Sequence, residues 1–191
     1  MASDLPLFDR PGLPDEVALL RAAYPRGVWE GHRHLGPMAR FWLERHQMFR
    51  DLGGAITGAA DQLRDGQIEA HAFMGWFAPR INFFLNELHT HHGVEDEHYF
   101  PLFRAADHRL GRGFDILDAD HHVIDGLIHE LAADANALAA ALKGTGEIAR
   151  AAETLAARLH KTLGGLIRHL DDEEEIIIPL ILDRTEGVLG V

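Results

Sequence analysis

The sequence predicts an all-α protein, an up-down-up-down four-helix bundle with an N-terminal extension. Three observations predict it. From Leu35 onward apolar residues recur at spacings of three and four, the repeat of a helix buried along one side, and nothing alternates with period two for long enough to make a sheet. Glycine-containing breakers cut this pattern into four stripes. Each stripe carries a histidine on its apolar seam, and two also carry a glutamate.

Residues 1–34 are rich in proline and glycine and read as an extension that packs on the bundle, with one short helical candidate from Asp15 to Ala23 capped by Pro14-Asp15. The bundle is expected over residues 35–185. Its first stripe is Leu35, Ala39, Trp42, His46, Phe49, Gly53, Ile56 and Ala60, closed by Arg64-Asp65-Gly66. Residues 67–78 are compatible with helix, and Pro79 is expected to kink or restart the second helix, whose stripe is Ile81, Phe84, Leu88, His91, Glu95, His98 and Leu102. Breakers from Ala105 to Gly113 precede the third stripe: Phe114, Leu117, His121, Ile124, Ile128, Leu131, Ala135, Leu138 and Leu142. After Lys143-Gly144-Thr145-Gly146 comes the fourth: Leu155, Leu159, Thr162, Leu166, His169, Glu173, Ile176 and Leu180. Pro101 and Pro179 are expected near helix ends.

In such a bundle two residues share a level when they are equidistant from the turn between them. The midpoints of 46 and 91, of 91 and 121, and of 121 and 169 fall at about 68, about 106 and about 145, each at or beside a breaker. Periodicity alone marks these four histidines, and it owes nothing to the midpoints. Their common level is therefore an independent indication of one site.

Composition narrows the chemistry. The chain has 191 residues, 47% of them hydrophobic, enough for one well-buried domain. It has no cysteine, which removes disulfides, thiolate metal sites, Fe–S clusters and a thiol nucleophile. Any metal must be held by nitrogen and oxygen, and 14 histidines supply the nitrogen. With 30 acidic and 18 basic residues the net charge is -12, which argues against nucleic-acid or anionic-membrane partners. The first residues lack a basic segment followed by an apolar one, and no run reaches membrane-spanning length, so a soluble cytoplasmic protein is expected.

The sharpest motif is a duplication. His91-His92-Gly93-Val94-Glu95 and His169-Leu170-Asp171-Asp172-Glu173 each set an imidazole four residues before a carboxylate, on one face of a helix about one turn apart. Acids follow both glutamates, Asp96-Glu97 and Glu174-Glu175, and a Pro-Leu pair stands ten residues past each histidine. A single copy would read as a solvated contact between successive turns. Two copies with shared flanks suggest one site built from both.

Four histidines and two glutamates on facing helices suit Fe, Mn or Zn, and two carboxylates from different helices can bridge two ions. Core histidines merely bonded to buried glutamates would leave carboxylates without compensating positive charge, which is expensive. A ferritin-like centre needs Glu-x-x-His on two helices; Glu95 to His98 is one copy, but Leu166 stands where the second needs a glutamate. His92 and His122 adjoin candidate ligands but point about 100° away, which suggests outer or surface roles. His98 is a candidate outer donor or alternative ligand. His32, His34, His71, His89, His108, His129 and His160 read as surface or packing residues.

These residues resemble the hemerythrin-like, or HHE cation-binding, domains over roughly residues 35 to 185. The resemblance implies a four-helix bundle around a non-haem di-iron centre, two Fe ions held by His46, His91, Glu95, His121, His169 and Glu173, with the glutamates bridging and the histidines terminal. Mn or Zn is possible with the same donors. It further implies a protein that binds or reacts with oxygen, peroxide or nitric oxide as sensor, store or scavenger; a structural or interaction bundle held by an inert zinc is the rival reading. One departure matters. Oxygen carriers of this family have a second histidine one turn after the first on the third helix, and Asp125 stands there. It is expected to face the metal cavity and to disfavour reversible oxygen carriage. Family members that repair iron centres usually carry a cysteine-containing segment, which is missing here.

Overall fold

The computed structural model describes residues 5–191; the first four residues of the expected extension lie outside the described residues. Helices and turns make up the described chain, with no strand among those residues. The long helices are α1 (Pro37–Arg64), α2 (Ala70–Val94), α4 (Gly111–Ala140) and α5 (Ile148–Arg184). Short α3 (Phe100–Ala106) lies between α2 and α4, and α6 (Glu186–Leu189) follows α5. Helix α1 opens on Pro37, whose missing N–H costs nothing at a helix start, and the Glu186 side chain accepts the Ala39 N–H at 2.9 Å. Gly66 and Gly144 adopt φ of 68° and 85° in the turns after α1 and α4, a conformation that favours glycine at those two breakers.

The chain forms two compact units. One comprises the segments up to Gln47, His91–His122 and Ile167–Val191; the other comprises Met48–Thr90 and Val123–Leu166. The first has a core of Trp29, Trp42, Phe100, Phe103, Phe114 and the run Ile176 to Leu182, onto which Leu13, Val17 and Ala18 pack. Gly113 admits Ile176 there: a Cβ at 113 would stand 2.6 Å from its Cδ1. In the second, Phe49, Ile56, Phe73, Phe77, Leu131, Leu138 and Leu155 are fully buried, and Gly53 lets Leu163 approach in the same way.

Several local expectations are corrected. Asp15 to Ala23 forms successive turns instead of a helix, with isolated bonds such as Val17 N–H to Pro14 O and Arg21 N–H to Ala18 O. So short a segment cannot offset helix nucleation, and burial of Val17 and Ala18 sets its path. Of the two outcomes expected at Pro79, a kink or a restart, the restart does not occur. The helix runs through it, because Phe73, Phe77, Ile81 and Phe84 are anchored in the core on both sides of the one lost hydrogen bond. Pro179 likewise lies inside α5. The second stripe also changes register. Residues Glu95–Tyr99 form a π-helical turn, which closes i to i+5, so the inward position after Glu95 passes to Phe100, buried, while His98 is exposed.

Candidate metal centre

The first unit brings together all six residues singled out by periodicity. His46 comes from α1, His91 from the last turn of α2, Glu95 from the π turn, His121 from α4, and His169 and Glu173 from α5. Five are essentially buried, and His91 is 10% exposed. The histidines meet in pairs through Nε2: His46 and His91 at 3.2 Å, His121 and His169 at 3.1 Å. The glutamates tie the pairs together. Glu95 sets Oε1 3.0 Å from His91 Nε2 and Oε2 3.5 Å from His121 Nε2. Glu173 sets Oε2 3.2 Å from His169 Nε2 and Oε1 3.4 Å from His46 Nε2. Each carboxylate thus spans from one pair to the other, and exchanging α1 with α4 and α2 with α5 leaves the pattern unchanged.

The outer nitrogens are held with the same regularity. The acid after each glutamate takes the Nδ1 of a histidine on another helix: Asp96 Oδ1 lies 2.7 Å from His121 Nδ1, and Glu174 Oε1 lies 3.0 Å from His46 Nδ1. Asp120 Oδ2 faces His169 Nδ1 at 3.4 Å. A carboxylate on one imidazole nitrogen fixes the tautomer and turns the other nitrogen inward, the arrangement that surrounds metal-binding histidines. Behind these carboxylates stand arginines from the N-terminal segment. Arg10, itself buried, pairs with Asp120 and donates from Nε to Asp172 at 2.8 Å, and Arg26 pairs with Glu174. The Trp42 indole N–H donates to Glu173 Oε1 at 2.6 Å.

Burial and neighbouring charge divide the protons unevenly. Burial lowers His91 to about 3, and burial with the charge of His169 lowers His121 against the opposing hydrogen bond to Asp96. For His169 burial also lowers, but Asp120 and Glu173 outweigh it and lift the imidazole to about 9. Burial opposes the charging of His46 too, and Glu173 and Glu174 overcome it and raise its pKa. Of the glutamates, Glu95 is pushed well above the carboxylate range by burial and by the charge of Glu173, whereas burial of Glu173 is outweighed by His46 and His169, which hold it well below. Without a cation the cluster therefore keeps protons where a cation would sit.

Three other residues depart from expectation. His92, expected in an outer or surface place, is 5% exposed, its ring stacks on His121 with centroids 4.0 Å apart, and it joins His121 and His169 in one group of mutually close ring nitrogens. Asp125 does not enter the cluster. It lies half-buried in the second unit, with His89 Nδ1 at 3.4 Å and His129 Nδ1 at 3.6 Å. His98 has turned outward with the π register. Asp120 and Arg10 are participants that the stripes did not mark. His122, by contrast, is exposed as expected.

The residues fit a cation. Among the described residues, no hydrogen bond reaches either oxygen of Glu95 or Oε2 of Glu173, although all three atoms are buried with imidazole nitrogens 3.0 to 3.5 Å away. Buried polar atoms without partners are rare and costly. His46, His91, Glu95 and Glu173 offer ligand atoms within 4.8 Å of one another, as do His92, His121 and His169. Among known proteins, no curated protein and no solved structure matched the chain. The family model of the hemerythrin HHE cation binding domain matches residues 38–181, a span that contains both His-x-x-x-Glu copies, His46 of α1 and His121 of α4. With three quarters of its length matched and its histidines and glutamates gathered in one buried cluster, this chain belongs to the hemerythrin HHE cation-binding domain family.

Proposed function

We propose that the chain is a non-haem di-iron protein of the up-down-up-down four-helix type, whose two ions are held by His46, His91, Glu95, His121, His169 and Glu173. The carrying observation is that Glu95 and Glu173 each reach imidazoles of both histidine pairs, one oxygen per pair. That is the geometry a bridging carboxylate requires. On this reading one ion belongs to His46 and His91, and the other to His121 and His169. Bound iron supplies redox chemistry toward oxygen, peroxide or nitric oxide, and the proposed role is sensor, store or scavenger.

The protein's own residues prepare this. Asp96, Asp120 and Glu174 hold the imidazoles of His121, His169 and His46 with Nε2 inward, so the orientation of these three is set before any cation arrives. Trp42 fixes one oxygen of Glu173. Phe100, with its ring stacked on His121, and buried Phe103 and Phe114 keep bulk water from this side of the cluster, which strengthens each charge interaction inside. Arg10 and Arg26 offset the negative charge of the outer carboxylates.

Anaerobically purified protein tests the reading: metal analysis is expected to give two irons per chain, and admission of oxygen is expected to develop visible absorption. His91→Ala and His169→Ala should each lower the bound metal well below two. A colourless, zinc-loaded protein would favour a structural bundle, and full metal content in both variants would overturn the ligand assignment.

A further inference from the structure

We propose that His92 is a seventh metal-holding residue, the third nitrogen donor on the side of His121 and His169. The inference rests on the two-ion reading above and deepens it. Three observations carry it. His92 is 95% buried, and its Nε2 is a buried nitrogen with no hydrogen-bond partner among the described residues. Its ring lies against both other histidines of that side, stacked 4.0 Å from His121 and edge-on 5.3 Å from His169. One ring nitrogen from each of the three lies within 4.8 Å of the others. A neutral imidazole left in such a place without a cation pays for burial of a polar atom and gains nothing.

The near-symmetry of the centre makes the assignment specific. Exchange of α2 with α5 maps His92 onto Leu170, which is fully buried and offers no donor. The His46 and His91 side therefore has two imidazoles, and the other side has three. Two ions that share two carboxylates are then unequal: a borderline divalent cation such as Fe(II) or Zn(II) is bound first and more tightly by the three-nitrogen side. Asp125 is not in this group, its carboxylate lying 3.4 Å from His89 Nδ1 and 3.6 Å from His129 Nδ1, so the third nitrogen comes from His92, on a different helix.

The test replaces His92 by the residue at its mirror position. Zn and Co binding to wild type and to His92→Leu is followed by competition with a chelator, and the imidazoles per metal are counted by X-ray absorption. The wild type is expected to bind two ions in two steps, with five imidazoles over the pair. His92→Leu is expected to weaken one step by at least about tenfold and leave four imidazoles. Its metal-free form should melt no lower than wild type, since an unpartnered buried nitrogen has been removed, while its loaded form melts lower. Should the leucine variant not fold, His92→Gln is judged by the same binding and imidazole counts. Two unaltered steps with an unaltered imidazole count would overturn the role of His92 and leave the two-ion reading standing. A wild type that binds fewer than two ions would overturn both.

Discussion

Loading of this centre should be a proton exchange, and His169 sets its scale. Its imidazole is lifted to about 9 by Asp120 and Glu173 against the opposing effect of burial, so at pH 7 the metal-free site holds a proton on a nitrogen that a cation needs. Two pH units at tenfold each make the apparent affinity about a hundredfold weaker at pH 7 than above 9, or about 3 kcal/mol. Glu95, raised well above the carboxylate range by burial and by the charge of Glu173, has a second proton to release. The logarithm of the affinity should therefore climb by at least about one per pH unit between about 7 and 9 and flatten above. Zinc titrations by calorimetry in two buffers of different ionisation enthalpy would count the protons directly. Asp120→Asn removes one of the two partners that raise His169 and should move the break to lower pH. An affinity that is flat from pH 7 to 9, with no protons released, would refute the reasoning.

Without metal, stability should peak near pH 6.5. The raised His169 contributes fully below its unfolded pKa of about 6.5 and loses that contribution as pH rises toward 9, whereas His91, buried and lowered to about 3, costs stability as pH falls below 6.5. Thermal melts of chelator-treated protein from pH 4.5 to 9 check this; a melting temperature that climbs steadily to pH 9 would contradict it. Arg10→Ala should cost roughly 3–5 kcal/mol in urea unfolding, because it leaves Asp120 and Asp172 buried without their guanidinium. Asp125→His should change neither the metal content nor the absorption spectrum, since residue 125 pairs with His89 and His129 at a half-exposed position; gain of a metal-linked imidazole signal would show otherwise.

The sequence made the helical stripes and the six-residue cluster legible because both follow from period and symmetry, properties that survive without coordinates. Seam positions of α1 and α5, from Ala39 to Ile56 and from Leu155 to Leu180, are buried as their spacing requires. Beyond Glu95 the stripe failed, because a π turn adds a residue to the repeat and no local signal announces it. His92 was missed for a related reason: a strict seam counts only positions three and four apart, while the buried face here is wide enough to include its neighbour. A signal did exist. The matching place in the second copy is Leu170, and an apolar residue there marks the position as interior. Arg10 and Asp120 were out of reach, since 110 residues separate them and nothing periodic links them. Misreading Asp125 came from the same rule applied too simply: one helical turn after His121 need not share its destination.

The crosswise tie made by Glu95 and Glu173 has a consequence for ancestry and design. One half of the centre, a helix with a lone histidine and a helix with His-x-x-x-Glu followed by an acid, already contains half of the six donors and one outer carboxylate. Two identical such halves about a twofold axis would reproduce the whole pattern as a homodimer. A fused chain allows what a twofold axis forbids, such as His92 facing a leucine counterpart at 170, Trp42 a leucine at 117, Asp120 an arginine at 45, and Asp96 a glutamate at 174. Such mismatches are the individuality of this protein, and a symmetrised version carrying none of them is the natural reference against which to measure what each contributes.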